Sequence, residues 1–221
     1  MQKKRARARG RSGTLLGMLA AALAAGATAT ATPITEPNQI VPQTVIDFDS
    51  LAPGGYGSPI VISGVTFSGG DLHVIDTDGF GASTSFPNYV SDKALGRPQL
   101  SSQPPPYTIT FSSPVAQVGF GLFDPNFAGN LIKAFDTAGN LLETTAPDAL
   151  FPPGGSGADY LGFSRSSADI KRIEIIASFD TTTDALWVDN LAFSTAPIPE
   201  PGTFLLLGTG VAGLLARRRR S

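Results

Sequence analysis

Between residues 44 and 194 short apolar runs alternate with breaks rich in Gly, Pro, Asp and Asn. The runs are 45–48, 60–67, 72–75, 107–111, 115–123, 131–135, 141–145, 160–164, 170–177 and 185–193. Several have a period of two, the mark of a strand with one buried face. Tyr107, Ile109 and Phe111 fall on one side of their run, and Val118, Phe120 and Leu122 on one side of theirs, with Gly119 and Gly121 opposite. The stretch Asp136-Thr137-Ala138-Gly139-Asn140 between two runs reads as a hairpin turn. No stretch sustains a helical period, and 166–169 has room for one turn at most. Ten short strands at regular spacing predict an all-β, antiparallel β-sandwich over 44–194, for which a two-sheet jelly roll is the expected form. Residues 32–43 read as a Pro-rich lead. The gap at 77–106, rich in Gly, Ser and Pro, reads as a functional or covering loop.

The two ends have a different pattern. Residues 1–13 are basic and polar, 14–25 are apolar, and small residues follow, so that 1–31 has the layout of a secretory signal peptide. Signal peptidase would cut after Ala27, Ala29 or Ala31. The apolar run is short of the ~20 residues a membrane span needs, which favours cleavage over a permanent anchor. No Arg-Arg pair precedes it, so a twin-arginine signal is not expected.

At the other end, Pro197, Pro199 and Pro201 flank Glu200 in a stretch that proline holds extended. Residues 203–216 are uncharged and rich in Leu, Gly and Ala, and Arg217, Arg218, Arg219 and Arg220 follow. As a helix, 203–216 is about 21 Å long against a ~30 Å hydrocarbon core, a short transmembrane helix that needs local thinning and arginine snorkelling. The arginines act as a cytoplasmic membrane stop and place the central domain on the far side. Pro199-Glu200-Pro201, the apolar helix and the terminal arginines, in that order, resemble the PEP-CTERM sorting signal, which assigns 195–221 to sorting. The resemblance implies recognition and cleavage by exosortase, a membrane-embedded cysteine transpeptidase-like protease. Transient anchoring in the inner membrane and release to the cell surface or an exopolysaccharide matrix would follow. A simple tail anchor is the other reading, but it has no use for the proline stretch.

The net charge of −2 conceals a segregation. Six basic residues lie in the first eleven and four at the end, leaving six in the middle against seventeen acidic ones, a charge near −11 for the central domain. Such a domain repels nucleic acid, whose binding requires neutralised phosphates, and tolerates divalent cations. With no cysteine, disulfides, thiolate catalysis and Cys-ligated metals are excluded; with one histidine, His73, so are multi-His sites.

The opening Ile46-Asp47-Phe48-Asp49 and closing Trp187-Val188-Asp189-Asn190-Leu191-Ala192-Phe193 resemble the first and last strands of galactose-binding-like and carbohydrate-binding jelly-roll modules. The resemblance implies that these strands pair and that a structural calcium is held near them. Asp47 and Asp49 share a strand face, and Asp189 joins them if the strands pair, three oxygen donors that suit Ca2+. Solvated strand acids are the competing reading. Asp71, Asp76, Asp78 and Gly79 fail the EF-hand pattern and read as an Asp-stabilised turn. No G-x-S-x-G accompanies His73, which reads as structural or surface, and no residue stands out as catalytic. Tyr56, Phe80, Phe86, Tyr89 and Tyr107 lie in or beside loops, either to stack on sugar or, the preferred reading, to fold over the core. Trp187 reads as core. The functional expectation is a non-enzymatic surface or matrix protein with extracellular polysaccharide as candidate ligand. A purely structural surface protein is the second reading and an extracellular glycan or ester hydrolase the third.

Overall fold

The computed structural model describes residues 32–80, 88–147, 157–179 and 183–197. The predicted signal peptide and the helix at 203–216 lie outside the described residues, among which no helix is long and apolar enough to cross a membrane. Among the described residues fourteen strands occur: β1 Thr32–Ile34, β2 Thr44–Ile46, β3 Gly54–Gly57, β4 Ile60–Ile62, β5 Val65–Ser68, β6 Leu72–Asp76, β7 Lys93–Arg97, β8 Tyr107–Val115, β9 Gln117–Phe123, β10 Leu131–Phe135, β11 Leu141–Thr145, β12 Ala158–Ser164, β13 Ile170–Ile176 and β14 Leu186–Ser194.

They form two antiparallel sheets. One runs β1-β12-β9-β14-β7-β6-β3, with β2 also paired to β14; the other runs β11-β10-β13-β8-β5-β4. The period-two residues build the core between them. Val118, Phe120 and Leu122 of β9 and Val188 and Leu191 of β14 join Ile109 and Phe111 of β8 and Ile173 and Ile175 of β13 in one apolar cluster. The hairpin forms as read. Asp136 N donates to Asn140 O, Asp136 Oδ1 accepts from Ala138 N and Asn140 N, and Gly139 takes φ 84°.

Three expectations need correction, and one strand has no counterpart in the sequence reading. The lead at 32–43 is not outside the sandwich, because β1 pairs with β12, Thr32 opposite Ser164, and Pro37–Gln39 form a 3-10 turn. The run at 60–67 is two strands, since Ser63 and Gly64 turn the chain with φ of 49° and 78°. Gly54–Gly57, which has one large side chain, is an edge strand. The gap at 77–106 is interrupted by β7, which lies between β14 and β6. Lys-Ala-Leu-Gly-Arg has no β-branched residue, so propensity conceals it. Context makes it a strand: Leu95 is core, and Gly96 has no room for a side chain against Leu186 O and the Trp187 backbone. Buried Arg97 extends Nη1 to the carbonyls of Gly69 and Pro105.

The outer face of the eight-stranded sheet is covered. Ile34 and Ile40 pack on Tyr160 and Ala192, and Val90 packs with Ala94, Phe123, Ala158 and Trp187. This explains why all seven residues of β9 are buried. Gly121 faces the cover, and a Cβ there would collide with the carbonyl of Tyr89. Gly121→Ala should therefore lower stability by about 1–3 kcal/mol, the usual cost of overpacking. Gly79→Ala, with nothing within 4 Å of the added carbon, should stay within about 0.5 kcal/mol of the wild type. Urea unfolding of both variants measures the difference.

Candidate functional site

Strand β14 positions Asp189. It pairs with β2, Leu191 opposite Ile46, so the first and last strands of the 44–194 segment are neighbours. The ladder between β14 and β9 shifts register between Asp189 and Ala192, where Asn190 takes φ 45°, a left-handed conformation that Asn tolerates. Asp189 is fully buried. Its Oδ2 accepts from Ser91 N at 2.7 Å, and Asn190 Nδ2 donates to Tyr89 O at 3.3 Å. These bonds pin the covering segment onto the glycine face of β9. Asp189 Oδ1 has no partner. Burial pushes the Asp189 carboxyl up to about 7; the Ser91 and Asn190 amides oppose the rise, and the Asp49 and Asp47 charges add to it. Those two acids are thus electrostatic neighbours of Asp189. Asp47 is exposed. Asp49 Oδ1 accepts from Lys93 N at 3.2 Å, and Lys93 Nζ reaches Asp49 O and Asp92 Oδ2.

A second buried carboxylate lies at the loop after β9. Asp184 is buried and its Oδ2 collects three donors, Asn126 N at 2.8 Å, Phe127 N at 3.0 Å and Asn130 Nδ2 at 2.7 Å. Asn130 Oδ1 in turn accepts from Ser178 N at 2.7 Å. Asp184 Oδ1 and Asn126 Oδ1 are buried without hydrogen-bond partners among the described residues. Asp124 begins this loop with φ 65°. Burial raises its pKa, the Asn126 side chain lowers it, and the Asp184 charge raises it again. Sequence reasoning missed this group. The available signal was Asp-Pro-Asn directly after a strand, with a lone Asp just before the last one.

Of the Asp71, Asp76, Asp78 and Gly79 group, Asp76 and Asp78 form the expected Asp-stabilised turn after β6, with Asp78 N donating to Asp76 Oδ1 at 3.0 Å, whereas Asp71 lies before that strand. Asp76, Asp78 and Asp92 bring carboxylate oxygens within 4.8 Å of one another; the first two are exposed, and Asp92 pairs with Lys93. His73 Nε2 lies 3.2 Å from Asp71 Oδ2 on the half-exposed β6. The loop aromatics divide. Tyr107 is wholly core, so its placement beside a loop misleads. Tyr89 folds onto Tyr160 and donates to Glu36 Oε1 at 2.8 Å. Tyr56 stays exposed and donates to Ala52 O. Phe86 and the side chain of Phe80 lie outside the described residues. Trp187 is buried, as expected.

The outer face of the six-stranded sheet is different. Register aligns Thr66, Thr110, Arg172 and Phe135 in one row and Ser68, Thr108, Glu174 and Lys133 in the next. All eight are partly exposed. Arg172 Cζ sits 4.5 Å from the Phe135 ring centre, and its Nη2 is 3.0 Å from Glu174 Oε1. Hydroxyls, opposite charges and one aromatic thus share one sheet face.

Residues 197–220 match the PEP-CTERM protein-sorting motif. Pro199, Glu200, Pro201 and the arginines 217–220 all fall in it but lie outside the described residues. Among curated proteins none matches the chain. Two solved mutant structures of a family 29 carbohydrate-binding module are similar at 16% identity and a TM-score of 0.32. The matches cover 76% of this chain and 93% of the first neighbour, and 78% and 99% for the second. A likeness of that size has no bearing on function.

The raised pKa of Asp189 gives a pH test. The folded state holds the proton up to about 7, whereas an unfolded Asp loses it near 3.9. Between these values the unfolded state binds fewer protons, so this group's contribution to stability falls as pH rises, by up to about 1.4 kcal/mol per unit. In chelator-containing buffer, urea unfolding from pH 4 to 8 should show that decline in the wild type. Asp189→Asn should flatten it.

Proposed function

We propose that this is an exported, exosortase-processed protein of the cell surface or exopolysaccharide matrix, with a non-enzymatic β-sandwich that holds extracellular polysaccharide. The observation that supports it most is the sorting motif at 197–220, directly after the last strand at Ser194. In this reading signal peptidase cuts after Ala27, Ala29 or Ala31, and β1, starting at Thr32, survives any of the three. The 203–216 helix holds the chain in the inner membrane, with the arginines cytoplasmic, until exosortase cuts near 199–201.

The outer face of the six-stranded sheet is the surface we assign to polysaccharide. Threonine and serine hydroxyls with Arg172, Glu174 and Lys133 can exchange hydrogen bonds with sugar hydroxyls, and Phe135 supplies an apolar ring. The opposite outer face is closed by its own chain. Calcium near Asp47, Asp49 and Asp189 remains part of the proposal. The unpartnered Asp189 Oδ1 supports it, and the Lys93 contacts to Asp49 and Asp92 oppose it.

Two experiments test this. Mass spectrometry of the protein from its own host should find a mature chain beginning at residue 28, 30 or 32 and ending near 199–201. Deletion of the exosortase should leave the arginine tail in place; a tail retained in both strains makes the protein a simple tail-anchored one. For the sandwich, Kd should be measured against the host's own exopolysaccharide. Phe135→Ala and Arg172→Ala should each raise it about fivefold, a loss of about 1 kcal/mol from a ring contact in the first and a hydrogen bond in the second, with Tyr56→Ala unchanged. No binding by the wild type would favour the purely structural reading.

A further inference from the structure

At the loop between β9 and β10, two buried acceptors, Asn126 Oδ1 and Asp184 Oδ1, have no hydrogen-bond partner among the described residues. Asp184 is 2% exposed, and one of its oxygens lacks any partner. A buried carboxylate oxygen without a donor or cation is unfavourable, so such groups are ordinarily paired or bound to metal. Asn126 Oδ1 is a second buried acceptor without a donor, and Asn126 N is already bonded to Asp184 Oδ2. Asp124 lies against the Asn126 side chain. Among the described residues neither Asp124 nor Asp184 has an ion-pair partner. We propose that Asp124, Asn126 and Asp184 bind a calcium ion at this end of the sandwich.

The donor chemistry selects the metal. Two carboxylates and an amide carbonyl are hard oxygen ligands, which exclude soft metals. Calcium accepts six to eight oxygens in irregular geometry and completes its shell with water or backbone carbonyls, whereas magnesium demands a near-ideal octahedron. An exported domain with a charge near −11 would meet calcium at the millimolar concentrations that extracellular modules are tuned to. The ion would lock 124–130 to Asp184 just before β14. Because the network of Asp184 Oδ2 already positions the loop, the site is preorganised without the ion. It shares no residue with Asp189 or the polysaccharide face, so it stands or falls separately from the proposed function.

Hydrogen exchange followed by mass spectrometry on the full chain, with chelator or with about 10 mM calcium chloride, tests the site locally. That concentration is about ten times the weakest constant expected of an extracellular site, so opening of the loop should slow roughly tenfold. Peptides spanning 124–130 and 183–186 should show the slowing, and magnesium chloride should give less. Asp124→Asn should abolish the calcium effect. Asp184→Asn keeps an acceptor for the loop amides and should weaken it as well. Unchanged exchange in the wild type, or the same slowing in both variants, would overturn the proposal.

Discussion

Everything on one side of this sandwich depends on how closely one backbone can approach another. Gly121 admits the carbonyl of Tyr89, Gly96 admits that of Leu186, and Gly162 admits that of Val118, where a side chain would collide. Glycine costs conformational entropy in a strand, so three such positions need compensation. The covering segment supplies it. Val90 joins Trp187 and Phe123 in an apolar cluster, and Asp189 and Asn190 hold the segment through hydrogen bonds. The eight-stranded sheet becomes an inner layer, buried on both faces along β9 and most of β14.

That asymmetry directs the functional reading. With one outer face closed, an extended ligand has the outer face of the six-stranded sheet and the loops. The closed face has a chemical cost, because its acidic anchor is buried and holds its proton to about pH 7. The loop after β9 repeats the arrangement with Asp184, whose Oδ2 is saturated and whose Oδ1 is free. Buried acids that tie loops to strand ends recur in this acidic domain. Cations are a natural complement to them.

The central strands were legible because their period of two survives in sequence. β10 and β11 fall on the residues read for them, as does the Asp136–Asn140 turn. The glycines opposite Val118, Phe120 and Leu122 were visible too, though not what they admit. β7 was not legible. Its residues favour no strand, and only pairing with β14 and β6 makes it one. β1 was hidden by Pro33, which an edge strand tolerates. For the sites, the expected pairing of the end strands occurs, but Lys93 could not be anticipated without β7. Asp124, Asn126 and Asp184 meet only through the fold, across about sixty residues. The sorting signal was fully legible, because its order along the chain is itself the recognised feature.

The most direct test of this account asks which face meets the matrix. Hydroxyl-radical footprinting of the protein on its host's exopolysaccharide, against the free protein, reads both faces in one measurement. Protection is expected at Phe135 and Arg172, with no change at Tyr89, Val90 or Trp187. Protection confined to the 88–92 segment, with Phe135 and Arg172 unchanged, would contradict it.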